Sequence, residues 1–210
     1  ARRSHGQRGR PGGSRHRAGM TQEPRGGAAP HAADATAPII VSALFAPADH
    51  AWLDRLRRAH FPPERNHLHA HVTLFHAFAP SLRDELADFL PRIAAEFAAP
   101  EGAVRGVMDF GKGTAIALEA PQLLTLRSII AEHFHGSLTP QDLIEPRPHI
   151  TIQNKVTKEE ARALQSRLPA LLAPWLAKPA FAFPALELWR YLGGPWERVR
   201  TSPFRGRVRL

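Results

Sequence analysis

The sequence predicts an α/β or α+β fold, because strand-like and helix-like patterns alternate along it from Pro38 to Arg200. Two further observations shape that expectation. With 210 residues and 43% hydrophobic content, the chain has room for one domain, or for two small lobes sharing one core. A strand–helix–strand–helix unit around His71 is also followed by a similar unit around His149, an echo of arrangement and not of residue identity.

The elements follow from periodicity and punctuation. The apolar run Pro38 to Phe45 suits a buried strand. Asp49 to His60 carries Trp52, Leu53 and Leu56 at helical spacing and stops before Pro62-Pro63. His69 to Phe75 alternates, with Val72 and Leu74 opposite His71, Thr73 and Phe75. Ser81 is a candidate cap for a helix running to Phe97 and interrupted by Pro91. Val104 to Phe110 and Thr114 to Leu118 form a hairpin about Gly111-Lys112-Gly113. Pro121 to Phe134 reads as a helix and His149 to Ile152 as a strand. Thr157 and Glu160 form a capping box for a helix to about Leu172. Strands over Phe181 to Tyr191 and Glu197 to Arg200, joined at Gly193-Gly194-Pro195, complete the pattern.

The net charge of +9 suggests a nucleic-acid protein until it is located. Residues 1–19 hold six arginines and no acid, and the remaining 22 basic and 19 acidic residues leave only +3. The basicity therefore belongs mainly to the N-terminal end, which with the Gly/Ala/Pro-rich stretch after it makes residues 1–37 a disordered tail. Met20 directly follows the arginine cluster and reads as a natural start. The folded domain is expected over 38–204, with 205–210 as a C-terminal tail. Without cysteine there is no disulfide, thiol nucleophile or thiolate-held metal, which fits a cytoplasmic protein. Apolar stretches fall short of a membrane span.

Chemistry concentrates in His71-Val72-Thr73-Leu74 and His149-Ile150-Thr151-Ile152, 78 residues apart. Residues two apart on a strand share a face, so each segment shows an imidazole and a hydroxyl to one side while its aliphatics anchor the other. Brought together, two imidazoles and two hydroxyls can cleave a phosphodiester without metal. One imidazole takes a proton, the other gives one, and the hydroxyls donate to the charged phosphate oxygens. One His-x-Thr is an ordinary strand; two with aliphatics at every alternate position are not easily a coincidence.

The duplicated His-x-Thr-x in a chain of this length resembles the 2H phosphoesterase superfamily, in its 2′-5′ RNA ligase-like or RNA cyclic phosphodiesterase branch, over roughly residues 38–204. That resemblance implies two pseudo-symmetric sheet lobes with flanking helices around a central cleft, one motif per lobe. It also implies action on a 2′,3′-cyclic phosphate or related cyclic phosphoester of RNA or a nucleotide, with reversible 2′-5′ joining. It names His71, Thr73, His149 and Thr151 as catalytic, and implies no cofactor. The sequence departs from the family in two places. Asn154-Lys155 stands where many members carry an arginine three residues after the second threonine, and Phe75-His76 stands where members often have Arg-Phe. Lys155 is a candidate replacement charge, although adjacent strand residues point to opposite faces.

Other readings compete at particular residues. Phe75 either stacks on a base or packs in the core. Arg147 either holds a substrate phosphate or is a surface residue before Pro148. His67, His69 and His71 at spacing two offer a metal-binding strand, which leaves the second motif unexplained. A non-catalytic RNA-binding protein on the same scaffold is the alternative of a different class. The expected partner is an RNA end or a nucleotide cyclic phosphate, met by a monomer away from membranes and without metal.

Overall fold

The computed structural model describes residues 36–178 and 180–210. The tail of residues 1–35, with the suggested start at Met20, lies outside the described residues. The chain runs β1 (Ile39–Leu44), α1 (Pro47–His60), β2 (Val72–Phe78), α2 (Arg83–Glu96), β3 (Glu101–Asp109), β4 (Gly113–Glu119), α3 (Pro121–His133), β5 (His149–Asn154), α4 (Lys158–Leu176), β6 (Phe181–Ala182), β7 (Ala185–Tyr191) and β8 (Trp196–Pro203). Two four-stranded sheets result, in the orders β2-β1-β7-β8 and β5-β4-β3-β6, with every pairing antiparallel. The class is therefore α+β, and the internal echo becomes two sheets of matching order with a motif strand at one edge of each.

Local chemistry explains most boundaries. Pro47 and Pro121 occupy first-turn positions, where a missing N–H costs no helical bond. The capping box forms as the spacing predicts, Thr157 N–H donating to Glu160 Oε2 and Glu160 N–H to Thr157 Oγ1. The helix it starts continues past Leu172 to Leu176, because Pro169 and Pro174 both lie on its exposed side. Gly111 takes φ +74° in the β3–β4 turn, and a Cβ on Gly113 would meet the Gln153 carbonyl at 2.5 Å, so the turn admits no side chain there.

Four expectations are corrected. Ser81 caps nothing: Pro80–Leu82 is a 3₁₀ turn, and α2 starts from Arg83 without a side-chain cap. Phe181 to Tyr191 is not one strand. Phe181-Ala182 pairs with β3 of the second sheet, the chain crosses at Phe183-Pro184, and β7 pairs with β1 and β8 of the first. The crossing is anchored by rings, with Phe45, Phe181 and Phe183 mutually 5.3–5.6 Å apart and Trp175 against Phe181, so one continuous core serves both sheets. The strand expected from His69 starts only at Val72. Finally, residues 205–210 do not trail away. Arg205, Gly206 and Val208 N–H groups donate to Ala94, Phe97 and Glu96 carbonyls, an approach that a side chain at Gly206 would block.

Each motif strand slips register directly after its threonine. Across β1, Thr73 faces Ser42 and Phe75 faces Val41, leaving Leu74 as the extra residue. Across β4, Thr151 faces Ala115 and Gln153 faces Thr114, leaving Ile152 as the extra residue. A bulge of this kind frees backbone groups that need partners. Two buried arginines supply them, each reaching across to the other sheet. Arg57 of α1, the helix that follows β1 and packs on β5, donates to the Thr151 carbonyl at 2.5 Å and to Asn66 Oδ1 at 2.8 Å. Arg127 of α3, which follows β4, donates to the Leu74 carbonyl of β2 at 2.9 Å and to the Asp142 carbonyl. Their guanidinium groups lie over the Phe61 and Phe75 rings at 4.6 and 4.7 Å.

Replacing Arg127 by Met would leave the Leu74 and Asp142 carbonyls without donors, at about 1–3 kcal/mol for each buried group. The expected result is a urea midpoint lowered by an amount equivalent to about 2–6 kcal/mol. Arg127→Lys should recover only part of the loss, since one ammonium does not reproduce a two-pronged donor. An unchanged midpoint in the Met variant would show that the guanidinium does not hold the sheets together.

Candidate active site

The two motif strands, β2 and β5, are the edges at which the sheets approach each other, with Cα atoms within 8 Å. Val72, Leu74, Ile150 and Ile152 are buried, while His71, Thr73, His149 and Thr151 are half-buried. The alternation expected of both segments is thus present, and it stops at the two bulges.

Both imidazoles are held in the same way. His71 Nδ1 lies 2.7 Å from the His69 carbonyl, and His149 Nδ1 lies 2.7 Å from the Arg147 carbonyl. A carbonyl oxygen only accepts, so each Nδ1 carries the proton and each Nε2 is left to exchange one. The ring of His71 packs 4.6 Å from Trp196, and that of His149 lies edge-on to Phe110 at 5.0 Å. Burial lowers the pKa of both. For His71, burial leads and, with the charges of Arg57 and His149 pushing the same way, outweighs the bond to the His69 carbonyl and the Asp54 carboxylate, bringing it to about 4. For His149, burial again leads, opposed by the Arg147 carbonyl bond and reinforced by the His76 and Arg147 charges. The charge of His149 is felt at His71 across the approach of the two sheet edges.

Among the described residues neither Thr73 nor Thr151 has its hydroxyl engaged by another protein group, and Thr73 lines a cavity of about 260 Å³ together with His149, Phe110 and Arg147. Arg147 is exposed on the rim of that cavity. Phe75 does not enter it. The bulge at Leu74 turns Phe75 away from the face of Thr73, where it is fully buried against Phe78 and beneath Arg127, so a base has no access to its ring. Lys155 lies just beyond the end of β5 with φ +57°. In that left-handed conformation it leaves the alternation of the strand and lines a separate cavity with Arg57, Arg65 and Trp196.

The three-histidine strand is not formed. His67 and His69 precede β2 in a loop, His67 lines the cavity beside Lys155, and His69 Nδ1 bonds Asp54 Oδ2 at 2.6 Å. Among the described residues the group with metal-like spacing is instead His50, Asp54 and His69, within 4.8 Å of one another, with the Asp54 oxygen already engaged by His69.

Two carboxylates that sequence reasoning missed brace the first motif. Asp54 accepts the Ala70 N–H at 2.6 Å as well as the His69 ring, fixing the approach to His71. Asp142 is 2% exposed and accepts the His76 and Ala77 N–H groups, the His76 ring and the Thr139 hydroxyl. Burial opposes its charge, but those donors prevail and hold its carboxyl below the usual range. The Thr139–Asp142 spacing of three was a readable signal for a local hydrogen-bonded turn. Nothing in the sequence ties Asp54, Arg57 or Arg127 to motifs so distant in the chain.

Comparison with known proteins bears on the fold and the family. The profile of the 2′-5′ RNA ligase superfamily matches residues 45–195. The fold is similar to that of TT0787 of Thermus thermophilus, with a TM-score of 0.52 and 16% identity over 80% of this chain and 98% of that one. It is also similar to E. coli LigT complexed with 3′-AMP, with a TM-score of 0.51 and 12% identity over 80% and 98% of the two chains. LigT complexed with NADP+ gives a TM-score of 0.50 at 13% identity over the same shares. A search of curated protein sequences gives no match. At these identities the structural likeness establishes the fold, and the profile over most of the chain establishes the family: the chain belongs to the 2′-5′ RNA ligase superfamily, a branch of the 2H phosphoesterases.

Proposed function

We infer that this chain is a metal-independent phosphoesterase that opens a 2′,3′-cyclic phosphate, or a related cyclic phosphoester, at the end of an RNA or on a nucleotide. The observation that carries this reading is the matched orientation of two imidazoles, each with Nδ1 fixed on the carbonyl two residues earlier and Nε2 free. His71, the more depressed of the two, is neutral across the physiological range and serves as base. Its Nε2 takes a proton as a water oxygen attacks phosphorus. The bond from phosphorus to one ribose oxygen breaks, and His149 gives that oxygen its Nε2 proton, leaving a phosphomonoester. Thr73 and Thr151 hydroxyls donate to the two non-bridging oxygens as their charge rises. Arg147 and Lys155 contribute positive charge at the edges of the site. A ribose hydroxyl in place of the water turns the same steps into 2′-5′ joining. Neighbouring LigT was crystallised with 3′-AMP, a product of the kind such an opening releases.

The test is an RNA ending in a 2′,3′-cyclic phosphate, incubated with the protein in EDTA. His71→Ala and His149→Ala should each lower kcat by about 10²–10⁴-fold, while RNA affinity is largely kept. Equal binding and equal biological effect without turnover in the unaltered protein would instead make this a binding protein. Thr73→Val and Thr151→Val keep shape and remove a donor, and each should cost about 10²-fold in kcat with unchanged melting.

The pH profile follows from the two shifts. Below about 4, His71 is protonated and no base is present, so kcat/KM falls on the acid side there. Above the lowered pKa of His149 the acid is lost, so the alkaline limb lies below the ordinary histidine value of 6.5. The free-enzyme profile should therefore be a bell with an acidic optimum. In kcat, the bound phosphate anion favours both protonated rings and should move both limbs upward. A rate rising monotonically through neutrality would rule out paired acid–base catalysis.

A further inference from the structure

Directly past the first motif the cleft holds a third imidazole. In a regular strand Phe75 would share the face of Thr73, and His76 would turn away from it. The extra residue at Leu74 reverses that order. Phe75 is buried, and His76 lines the cavity of about 260 Å³ together with Thr73, Arg147 and His149. The His76 side chain is 44% exposed, so a ligand in that cavity has access to the ring. Its charge already reaches the reacting groups: burial is the main cause of the lowered pKa of His149, and His76 adds to it.

The ring is held from behind. Asp142, on the segment that follows α3, lies 3.0 Å from His76 Nδ1. It also accepts the His76 and Ala77 N–H groups at 2.9 and 3.1 Å and the Thr139 hydroxyl at 3.1 Å. Burial works against the charge of this carboxylate, yet those donors keep it ionised. An ionised carboxylate only accepts, so Nδ1 carries a proton and Nε2 is the nitrogen left for a ligand. His71 and His149 are tethered to neutral carbonyls, whereas His76 is tethered to a charge. When an anion binds on the far side of such a ring, both nitrogens donate and the imidazolium bridges two negative groups. The other carboxylate lining the cavity, Glu145, is exposed at its rim, as is Arg147 of opposite charge.

We propose that His76 is a further phosphate-binding residue of the cleft, its Nε2–H donating to the non-bridging oxygen that Thr73 also holds, with Asp142 as the positioning residue that fixes the ring. The proposal rests on the phosphoesterase reading for the presence of that phosphate. His76 exchanges no proton with the substrate; it supplies a fixed donor and a positive charge beside the two rings that do the exchange. The phosphate is anionic before and during the reaction, so the contact is made in both states and acts mainly on affinity and KM.

Binding tests this without relying on turnover. Fluorescence anisotropy on the full chain compares an RNA octamer ending in a 3′-phosphate with the same octamer ending in a 3′-hydroxyl. The unaltered protein should prefer the phosphate end. His76→Phe keeps a ring and removes both nitrogens, and it should cut that preference about tenfold or more, the size of a charge-assisted contact. His76→Ala should do the same, while His76→Gln, whose amide can donate from near the place of Nε2, should keep a larger share. Melting should change little in all three, because Asp142 retains the backbone donors and the Thr139 hydroxyl. With the cyclic phosphate as substrate, His76→Phe should raise KM by a similar factor and leave kcat nearly as it was. An undiminished preference in His76→Phe and His76→Ala, or no preference in the unaltered protein, would overturn the contact. If turnover of the cyclic phosphate continued in that case, the phosphoesterase reading would stand without it. A preference abolished by His76→Phe in a protein that never turns over the cyclic phosphate would sink the hydrolase reading and leave His76 as a phosphate ligand.

Discussion

The site depends on how two sheet edges are joined. An edge strand exposes unpaired backbone groups, and a bulge within it frees more. Both motif strands are edges and both bulge immediately after their threonine. The structure resolves the two problems together by sending one buried arginine from each half to the freed region of the other, Arg57 to Thr151 and Arg127 to Leu74. The exchange is what fixes β2 relative to β5, since among the described residues no strand pairing connects them. Removing water from a guanidinium is costly, and both are compensated by two or more acceptors and an aromatic face. The bulges also mark where the site stops. Up to the threonine, side chains alternate toward the cleft; one residue later the pattern reverses, and Phe75 and Gln153 go inward to the core.

This geometry has electrostatic consequences. Arg57 serves the backbone, but its charge also lies close enough to His71 to help lower its pKa, beyond the effect of burial. His149 feels Arg147 and His76 instead. Two rings with the same backbone tether thus differ in their tendency to hold a proton, and the asymmetry comes from their neighbours and not from their own motif.

Much of the fold was legible in the sequence, and the reasons it was legible are local. The capping box at Thr157, the glycine turn at 111–113 and the alternation in both motifs depend on residues within a few positions of one another. The misreadings involve partners far along the chain. Phe181 to Tyr191 has the composition of one strand, but Pro184 cannot donate to a ladder and Phe183 packs into the ring cluster, so the segment divides between two sheets. His67 and His69 have strand spacing, yet Asp54, fifteen residues before His69, holds that ring and the next N–H in a loop. Phe75 has the parity of Thr73, and one extra residue in the register reverses it. Phe110 and Trp196 end up against the two histidines only because hairpins far from the motifs bring them there.

The family departure at Asn154-Lys155 shows how a substitution can be accommodated. In a regular strand a cation moved by one position turns to the opposite face, so Asn154-Lys155 would be a loss of charge from the cleft. Here the strand ends at Asn154, whose side chain accepts the N–H of the next residue and stabilises it at positive φ, a role that asparagine performs better than arginine. The two changes are then a single one. Asparagine sets the backbone that lets lysine swing out of the alternation, and the lysine carbonyl is fixed by Arg65 from the loop after α1. The positive charge is kept near the cleft but displaced from the threonine face to the adjoining cavity, beside Arg57 and Trp196. The departure therefore moves a positive charge within the surface beside the cleft and leaves both His-x-Thr-x motifs unchanged.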